Sequence, residues 1–164
     1  MSEILGTLFK YVLGLLGIVG VVVLLYYALS SNSVSAEVSN ITTTEGNLAG
    51  LYSGSTANAG TTSLTNAVAI AASAVPAAMV SGTKIINQWQ GAVTLSGDAG
   101  GDIIISEAGL PQAACAKIIT AVPSYSSLTV NGGTALTAPV DPGTSVAQCK
   151  SGTANTVAFT FGRS

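Results

Sequence analysis

The chain has 164 residues, a formal net charge of −2 and only 7% charged residues, so no basic surface is expected to hold nucleic acid. Aromatic residues make up 5%, too few for a base-stacking platform, and there is no histidine, which removes the commonest general base. Length and composition therefore predict one head domain on an extended element, with no enzymatic activity and no cofactor.

The first element is the apolar run of residues 11–29, YVLGLLGIVGVVVLLYYAL, with Lys10 before it and no charge until Glu37. A helix of this length spans roughly the ~30 Å hydrocarbon core of a bilayer. The acidic start at Glu3 and the long apolar core argue against a cleaved secretory signal. The run is therefore interpreted as a membrane anchor that also serves as an assembly surface.

Three glycines, Gly14, Gly17 and Gly20, recur at every third position within this run. They are consistent with close helix–helix packing through small residues. They are equally consistent with a weak point where the helix stretches or melts, or with the general abundance of glycine in membrane helices. The sequence does not choose among these three explanations.

The helix is predicted to continue to about Ser53, giving a length of roughly 78 Å. Its second half carries a heptad-like stripe that is expected to be buried, with Glu45 at one position of the seam. The stripe consists of Val34, Val38, Ile41, Leu48 and Leu51. The predicted division is an apolar half-helix over 1–29, an amphipathic half over 30–53 and a globular head over 54–164.

The head is predicted to be α+β, with an antiparallel sheet that faces the long helix. A short helix is expected over Ser63–Ala74, capped by Thr62 or Ser63 and ended by Pro76, followed by a further turn at Ala77–Val80. The remaining predicted elements are strands over 92–95 and 102–106 around a glycine-rich turn, a helix from Pro111 to about Thr120, a strand over 127–130, a loop over 134–144 and a final strand over 155–161.

Several single residues have structural explanations that outweigh functional ones. Trp89 is expected in the core or in a subunit contact rather than as a surface adhesive residue. Asp98, Asp102 and Asp141 match no calcium-binding spacing, so roles in turns and at edges are expected. Without a histidine, none of the many hydroxyl side chains has an activating base.

Two cysteines, Cys115 and Cys149, have no further cysteine or histidine with which to bind zinc. If the head lies outside the cytoplasm, they can persist as a disulfide, which would stabilise the fold by ~3–4 kcal/mol. Two buried thiols are the alternative.

Taken in order, these features resemble the type IVb pilins, most closely the major subunits of conjugative thin pili and related enteric pili. The resemblance covers essentially the whole chain. Besides the apolar N-terminal helix, it rests on VPAAMVSGTKIINQWQGAVTLSG (75–97), GLPQAACAKIITAV (109–122), LTVNG (128–132), Cys149 and NTVAFTF (155–161).

The resemblance implies a type IV pilin fold and a disulfide between Cys115 and Cys149 that encloses a C-terminal variable region. It implies a homopolymeric filament on the surface of a Gram-negative bacterium, held in the inner membrane before assembly. The implied partners are copies of the same chain, the inner-membrane assembly machinery and a prepilin peptidase. Adhesion and conjugative mating-pair formation are the implied uses.

In this family a glutamate at the fifth position pairs with the N-terminal amine of the neighbouring subunit and sets the register. The early acid here is Glu3, so either Met1 is the mature first residue with a different register, or the numbering starts from another point. A solvated acid at a helix N-terminus is the other interpretation of Glu3. The expected assembly residues are Met1, Glu3, Leu5, Leu8, Val12, Leu15, Leu16, Val19, Val22 and Val23.

Two other functions compete with the major-pilin interpretation. A membrane-anchored monomeric binding module would need a pocket or charged patch on the head, which the sequence does not indicate. A minor adhesive pilin usually has a longer C-terminal extension than the tail after Cys149.

Overall fold

The computed structural model describes residues 12, 32–53, 61–152 and 154–162. The chain divides into two compact units, Met1–Ser33 and Val34–Ser164, and the sheet and the buried core belong to the second. The predictions for the apolar run, apart from Val12, lie outside the described residues. In the part of the chain that is described, no helix combines the length and apolar character needed to cross a bilayer.

Helix α1 covers residues 32–52 and places one stripe of side chains in the core. Val34, Ile41 and Leu48 are buried as predicted, and Val38 packs partly buried against the core. The prediction for Leu51 is wrong: its side chain is 48% exposed, and Tyr52 takes the buried position. The stripe steps by four residues after Leu48 because a helix has ~3.6 residues per turn and drifts from a strict heptad.

The head is built on one six-stranded antiparallel sheet, in the order β1-β2-β3-β4-β6-β5. Its strands are β1 (Val80–Ser81), β2 (Lys84–Ile86), β3 (Ala92–Gly97), β4 (Ile103–Leu110), β5 (Ser127–Val130) and β6 (Asn155–Phe161). The helices are α2 (Asn66–Ala71), a 3-10 turn (Ala77–Met79), α3 (Gln112–Ala121) and α4 (Pro142–Gln148). The predicted α+β class with an antiparallel sheet is confirmed.

The core lies on the face of the sheet formed by alternate residues of the two central strands. Ile103, Ile105, Phe159 and Phe161 are all 3% exposed or less, and they join the buried residues of α1 and α3 in one cluster. Glu107 continues the same alternation on β4, so its side chain is on this buried face.

The predicted bounds of β5 and β6 match the structure, and α3 begins and ends within a residue of its prediction. Helix α2 is shorter than predicted, because the Thr65 side chain caps it by accepting a hydrogen bond from the Val68 N–H. The prediction of a loop over 134–144 is wrong for its last three residues, because α4 begins at Pro142. Asp141 caps α4 by accepting from the Thr144 N–H, and Pro142 occupies the first turn.

Candidate functional site

The assembly residues expected from the resemblance lie outside the described residues, with Val12 as the exception. Val12 is helical and 45% exposed. The three glycines of the apolar run also lie outside the described residues. The structure describes α1 and most of the head, which together have two features of interest: a region closed by the disulfide, and the contact of α1 with the sheet.

Cys115 on α3 and Cys149 at the end of α4 form a disulfide with a Cα–Cα distance of 6.0 Å. The two cysteines are 0% and 2% exposed, so the link is part of the core. We call residues 115–149 the disulfide-bounded region; it contains β5 and α4. The structure thus contains the disulfide and not two buried thiols.

Asn155, at the start of β6, fastens the disulfide-bounded region to the sheet and is 1% exposed. Its Nδ2 donates to the carbonyl oxygens of Leu110 (3.1 Å) and Lys150 (2.9 Å). Its Oδ1 accepts from the Lys150 N–H (2.7 Å) and from Nδ2 of Asn131 (3.0 Å). One amide on β6 therefore bonds to β4, to Asn131 directly after β5 and to the segment that follows Cys149.

Asn155→Asp is expected to destabilise the head by about 1–3 kcal/mol. The aspartate carboxylate can still accept the two hydrogen bonds that Oδ1 receives, but it has no N–H to donate. The carbonyl oxygens of Leu110 and Lys150 therefore lose their donor and lie beside a buried negative charge. Chemical denaturation measures the loss. Asn131→Asp, at the more exposed end of the same network, is the matched comparison and should cost less; an equal cost would contradict the central role of Asn155.

An open groove of about 380 Å³ lies on the surface of the disulfide-bounded region. Residues 119–125 and 138–140 line it, and none of them is charged. Tyr125 forms part of the wall: its hydroxyl donates to the Ile119 carbonyl (3.2 Å) and its ring packs on Phe159 at 5.4 Å. Burial raises the pKa of Tyr125. The groove can receive uncharged, partly apolar groups.

Two carboxyl groups, Glu37 on α1 and Glu107 on β4, are both fully buried at 0% exposure. We call them the buried carboxyl pair. Oε2 of Glu37 accepts a hydrogen bond from the Gln88 N–H (2.9 Å), and Oε2 of Glu107 accepts one from Nδ2 of Asn87 (2.9 Å). Both acids are therefore tied to the connection between β2 and β3, residues 87–91, which we call the Asn87 loop.

The side chain of Asn87 shapes this loop. Its Oδ1 accepts from the backbone N–H groups of Trp89 (3.1 Å) and Gly91 (2.8 Å). Its Nδ2 also donates to the Ala108 carbonyl (2.8 Å) on β4. Trp89 packs partly buried against the core, in agreement with its expected structural role. The hydrogen bonds of Asn87 thus hold the loop in one conformation, in which it contacts both acids.

Burial raises the pKa of Glu107 well above its ordinary value, and the neighbouring Glu37 carboxylate raises it further. Burial also raises the pKa of Glu37, while hydrogen bonds from the Gln88 N–H and from Glu107 act in the opposite direction. The pKa of Glu107 is raised more strongly than that of Glu37, so a proton held by the pair is expected on Glu107.

Sequence reasoning missed this pair, although one signal was available. Val34, Ile41 and Leu48 repeat at heptad spacing, and a strict heptad places Glu37 and Thr44 at the second buried position. Both are buried in the structure, at 0% and 2% exposure. The predicted stripe assigned the buried position to apolar Val38, so Glu37 and Thr44 were not recognised as buried.

Asp98 and Asp141 have the turn and capping roles that the sequence predicts. Oδ1 of Asp98 accepts a hydrogen bond from the Asp102 N–H (2.9 Å), and Asp141 caps α4.

The chain matches the PilS N-terminal family over residues 31–162. A type IVb pilin from Salmonella typhi has a similar structure, with a TM-score of 0.64 and 21% identity over 79% of this chain and 99% of that one. TcpA, a type IV pilin from Vibrio cholerae El Tor biotype, is similar with a TM-score of 0.54 and 17% identity over 79% of this chain and 98% of that one. No curated protein sequence matches significantly.

The family match spans most of the 164 residues, and each of the two structural relatives covers 79% of the chain. This chain therefore belongs to the PilS N-terminal family and has the fold of the type IVb pilins.

Proposed function

We propose that the chain is the major structural subunit of a type IVb pilus and polymerises through its apolar N-terminal helix. Residues 1–29 form the filament core, residues 30–53 connect the core to the head, and residues 54–164 form the outer head. The observation that carries the proposal is the order of parts: the apolar run leads in sequence into α1, which is packed on a head with the pilin fold.

The head composition supports packing against copies of itself. Only 7% of the residues of the chain are charged, so neighbouring heads bring few like charges together and few charges need to lose water. The subunit waits in the inner membrane, where a prepilin peptidase and the assembly machinery act on it. The finished pilus lies outside a Gram-negative cell and serves adhesion, cell contact or mating-pair formation.

Register within the filament depends on Glu3 in this proposal. When the helix leaves lipid for a bundle of like helices, one apolar environment replaces another, so burial alone cannot select one axial position. A buried carboxylate that pairs with the amine of the next subunit can select one axial position, because every other register leaves the carboxylate unpaired. The apolar side chains from Leu5 to Val23 then pack around this pair.

Glu3→Ala is expected to remove all or nearly all filaments from material sheared off the cells, while the subunit remains in the membrane fraction. Electron microscopy of the sheared material, with mass analysis of the N-terminus of the same band, makes the measurement. Glu45→Gln, which removes one carboxylate from α1, is the control and should leave filaments intact. Normal filaments from Glu3→Ala would show that register does not depend on this acid.

The groove on the disulfide-bounded region favours a second candidate, a membrane-anchored binding module or a minor adhesive pilin. The same microscopy separates the two. If the unaltered chain forms no filaments and leaves the membrane only as a detergent-extracted monomer, the major-pilin proposal fails and the binding module remains.

A further inference from the structure

The buried carboxyl pair leaves two oxygen atoms without a protein donor. Oε1 of Glu37 and Oε1 of Glu107 are buried and make no hydrogen bond within the described residues. Nδ2 of Asn40, one turn along α1 from Glu37, is also buried without a partner, and it lowers the pKa of Glu37. The Oε2 atoms are already used by the Asn87 loop. Buried polar atoms are rarely left unsatisfied, and two neighbouring carboxyl groups can hydrogen-bond to each other only when they share a proton.

The surroundings offer no other way to neutralise the pair. The neighbours of the β4 carboxyl on the adjacent strands are Val93 and Val157, both buried and apolar. The Asn87 loop contains no ionisable side chain. Glu45 on α1 and Lys84 on β2 are the other charged residues on the described elements around the pair, and neither contributes to its pKa shifts. Within the described residues, the proton is therefore the only positive charge at this site.

We propose that the buried carboxyl pair is a pH-dependent link between α1 and the sheet, closed by one shared proton and opened when that proton leaves. With the proton, the pair carries one negative charge, which the Gln88 N–H and the Asn87 amide stabilise. Without it, two carboxylates repel each other in an apolar environment. Relief requires water to enter or α1 to move away from the Asn87 loop.

The link joins α1 to the head, within the described residues, and does not depend on the proposed function. Its consequence for a filament does rest on that function: α1 joins the head to the filament core, so heads would be held most firmly at acidic pH and more loosely as the pH rises. The subunit alone tests the link, which keeps a failure here separate from a failure to form filaments.

The shared proton should make the folded head most stable at low pH and less stable as the pH rises. Because folding raises the pKa of Glu107, the folded head keeps a proton that the unfolded chain, with an ordinary value of 4.5, releases. This contribution is complete below pH 4.5. It falls as the pH rises, by about tenfold in the folding equilibrium constant per pH unit, until the folded-state pKa is reached.

The direct test labels the glutamate side-chain carboxyl carbons of the full chain in detergent micelles and follows them by NMR as the pH is raised. One carboxyl group is expected to remain protonated at pH values at which the other glutamate carboxyl groups have already ionised. Glu107→Gln should remove that signal. If every glutamate carboxyl titrates near 4.5, no proton is shared and the proposal is overturned.

A second measurement asks whether the proton controls the contact. Trp89 is the only tryptophan and lies in the Asn87 loop, so its emission reports on this site. Emission and the unfolding midpoint are recorded from about pH 6 to about pH 9, a range in which ordinary glutamate and lysine side chains largely keep one charge state. The N-terminal amine titrates in this range, but it is common to the wild type and to every variant. In the wild-type protein the unfolding midpoint should fall and the Trp89 emission should change as the pH rises. Glu107→Gln should show neither change, because the glutamine amide imitates the protonated acid as a donor to Glu37.

Two further variants keep the result interpretable. Glu37→Gln still accepts from the Gln88 N–H but removes the neighbouring negative charge, so the transition should move to lower pH. Glu45→Gln removes a carboxylate from the same helix outside the pair and should titrate like the wild type. Wild-type pH dependence in Glu107→Gln would overturn the proposal, as would the loss of that dependence in Glu45→Gln.

Discussion

Replacing Cys115 and Cys149 together by alanine is expected to lower the free energy of unfolding by about 3–4 kcal/mol. The disulfide closes a loop with a sequence separation of 34, and removing it returns that loop-closure entropy to the unfolded chain. The loss should be concentrated in the disulfide-bounded region. Helix α4 buries little beyond Ser145 and exposes 55% of Val146, so packing alone holds it weakly.

Denaturant unfolding measures the loss, and hydrogen exchange locates it. Amides of α4 should exchange much faster in the double variant, while those of β4 and β6 keep most of their protection. Reductant should destabilise the wild-type chain and leave the double variant unchanged. A double variant within about 1 kcal/mol of the wild type would mean that the hydrogen bonds of Asn131 and Asn155 hold the region without the disulfide.

Gly91→Ala is expected to destabilise the head by at least about 3 kcal/mol. A Cβ at this position would collide with the backbone carbonyl of Ala108 on β4 and approach Nδ2 of Asn87 to 2.9 Å. That carbonyl cannot retreat without losing its hydrogen bond from Asn87, the residue that contacts Glu107 in the buried carboxyl pair. The substitution should therefore also disturb the environment of Trp89.

Gly46→Ala is the matched control, the same change placed on α1. Its Cβ would meet nothing within 4 Å, and the position lies inside a helix, where alanine is favoured over glycine. We expect a gain of up to ~1 kcal/mol. Thermal unfolding followed by circular dichroism compares the two variants. Opposite signs are the expected result, and a neutral Gly91→Ala would show that β4 can shift away from the loop.

Local patterns predicted the regular parts of this head because the information lies within a few residues. The alternation in NTVAFTF marks the buried and exposed faces of β6, and Pro111 marks the start of α3. Helix α4 escaped prediction because its sequence, PGTSVAQ, contains a proline and a glycine and little apolar periodicity. It forms where Asp141 caps its first turn and the disulfide holds its end.

Taken alone, the sequence determined the class of fold, the order of its elements and the family resemblance, since each depends on composition, periodicity and short motifs. Only the tertiary structure decided what lies opposite each buried polar group. Glu37 and Gln88 are 51 residues apart, and Asn155 and Leu110 are 45 apart. Periodicity tells which face of α1 is buried, but the proton of the buried carboxyl pair depends on a strand that folding brings opposite that face.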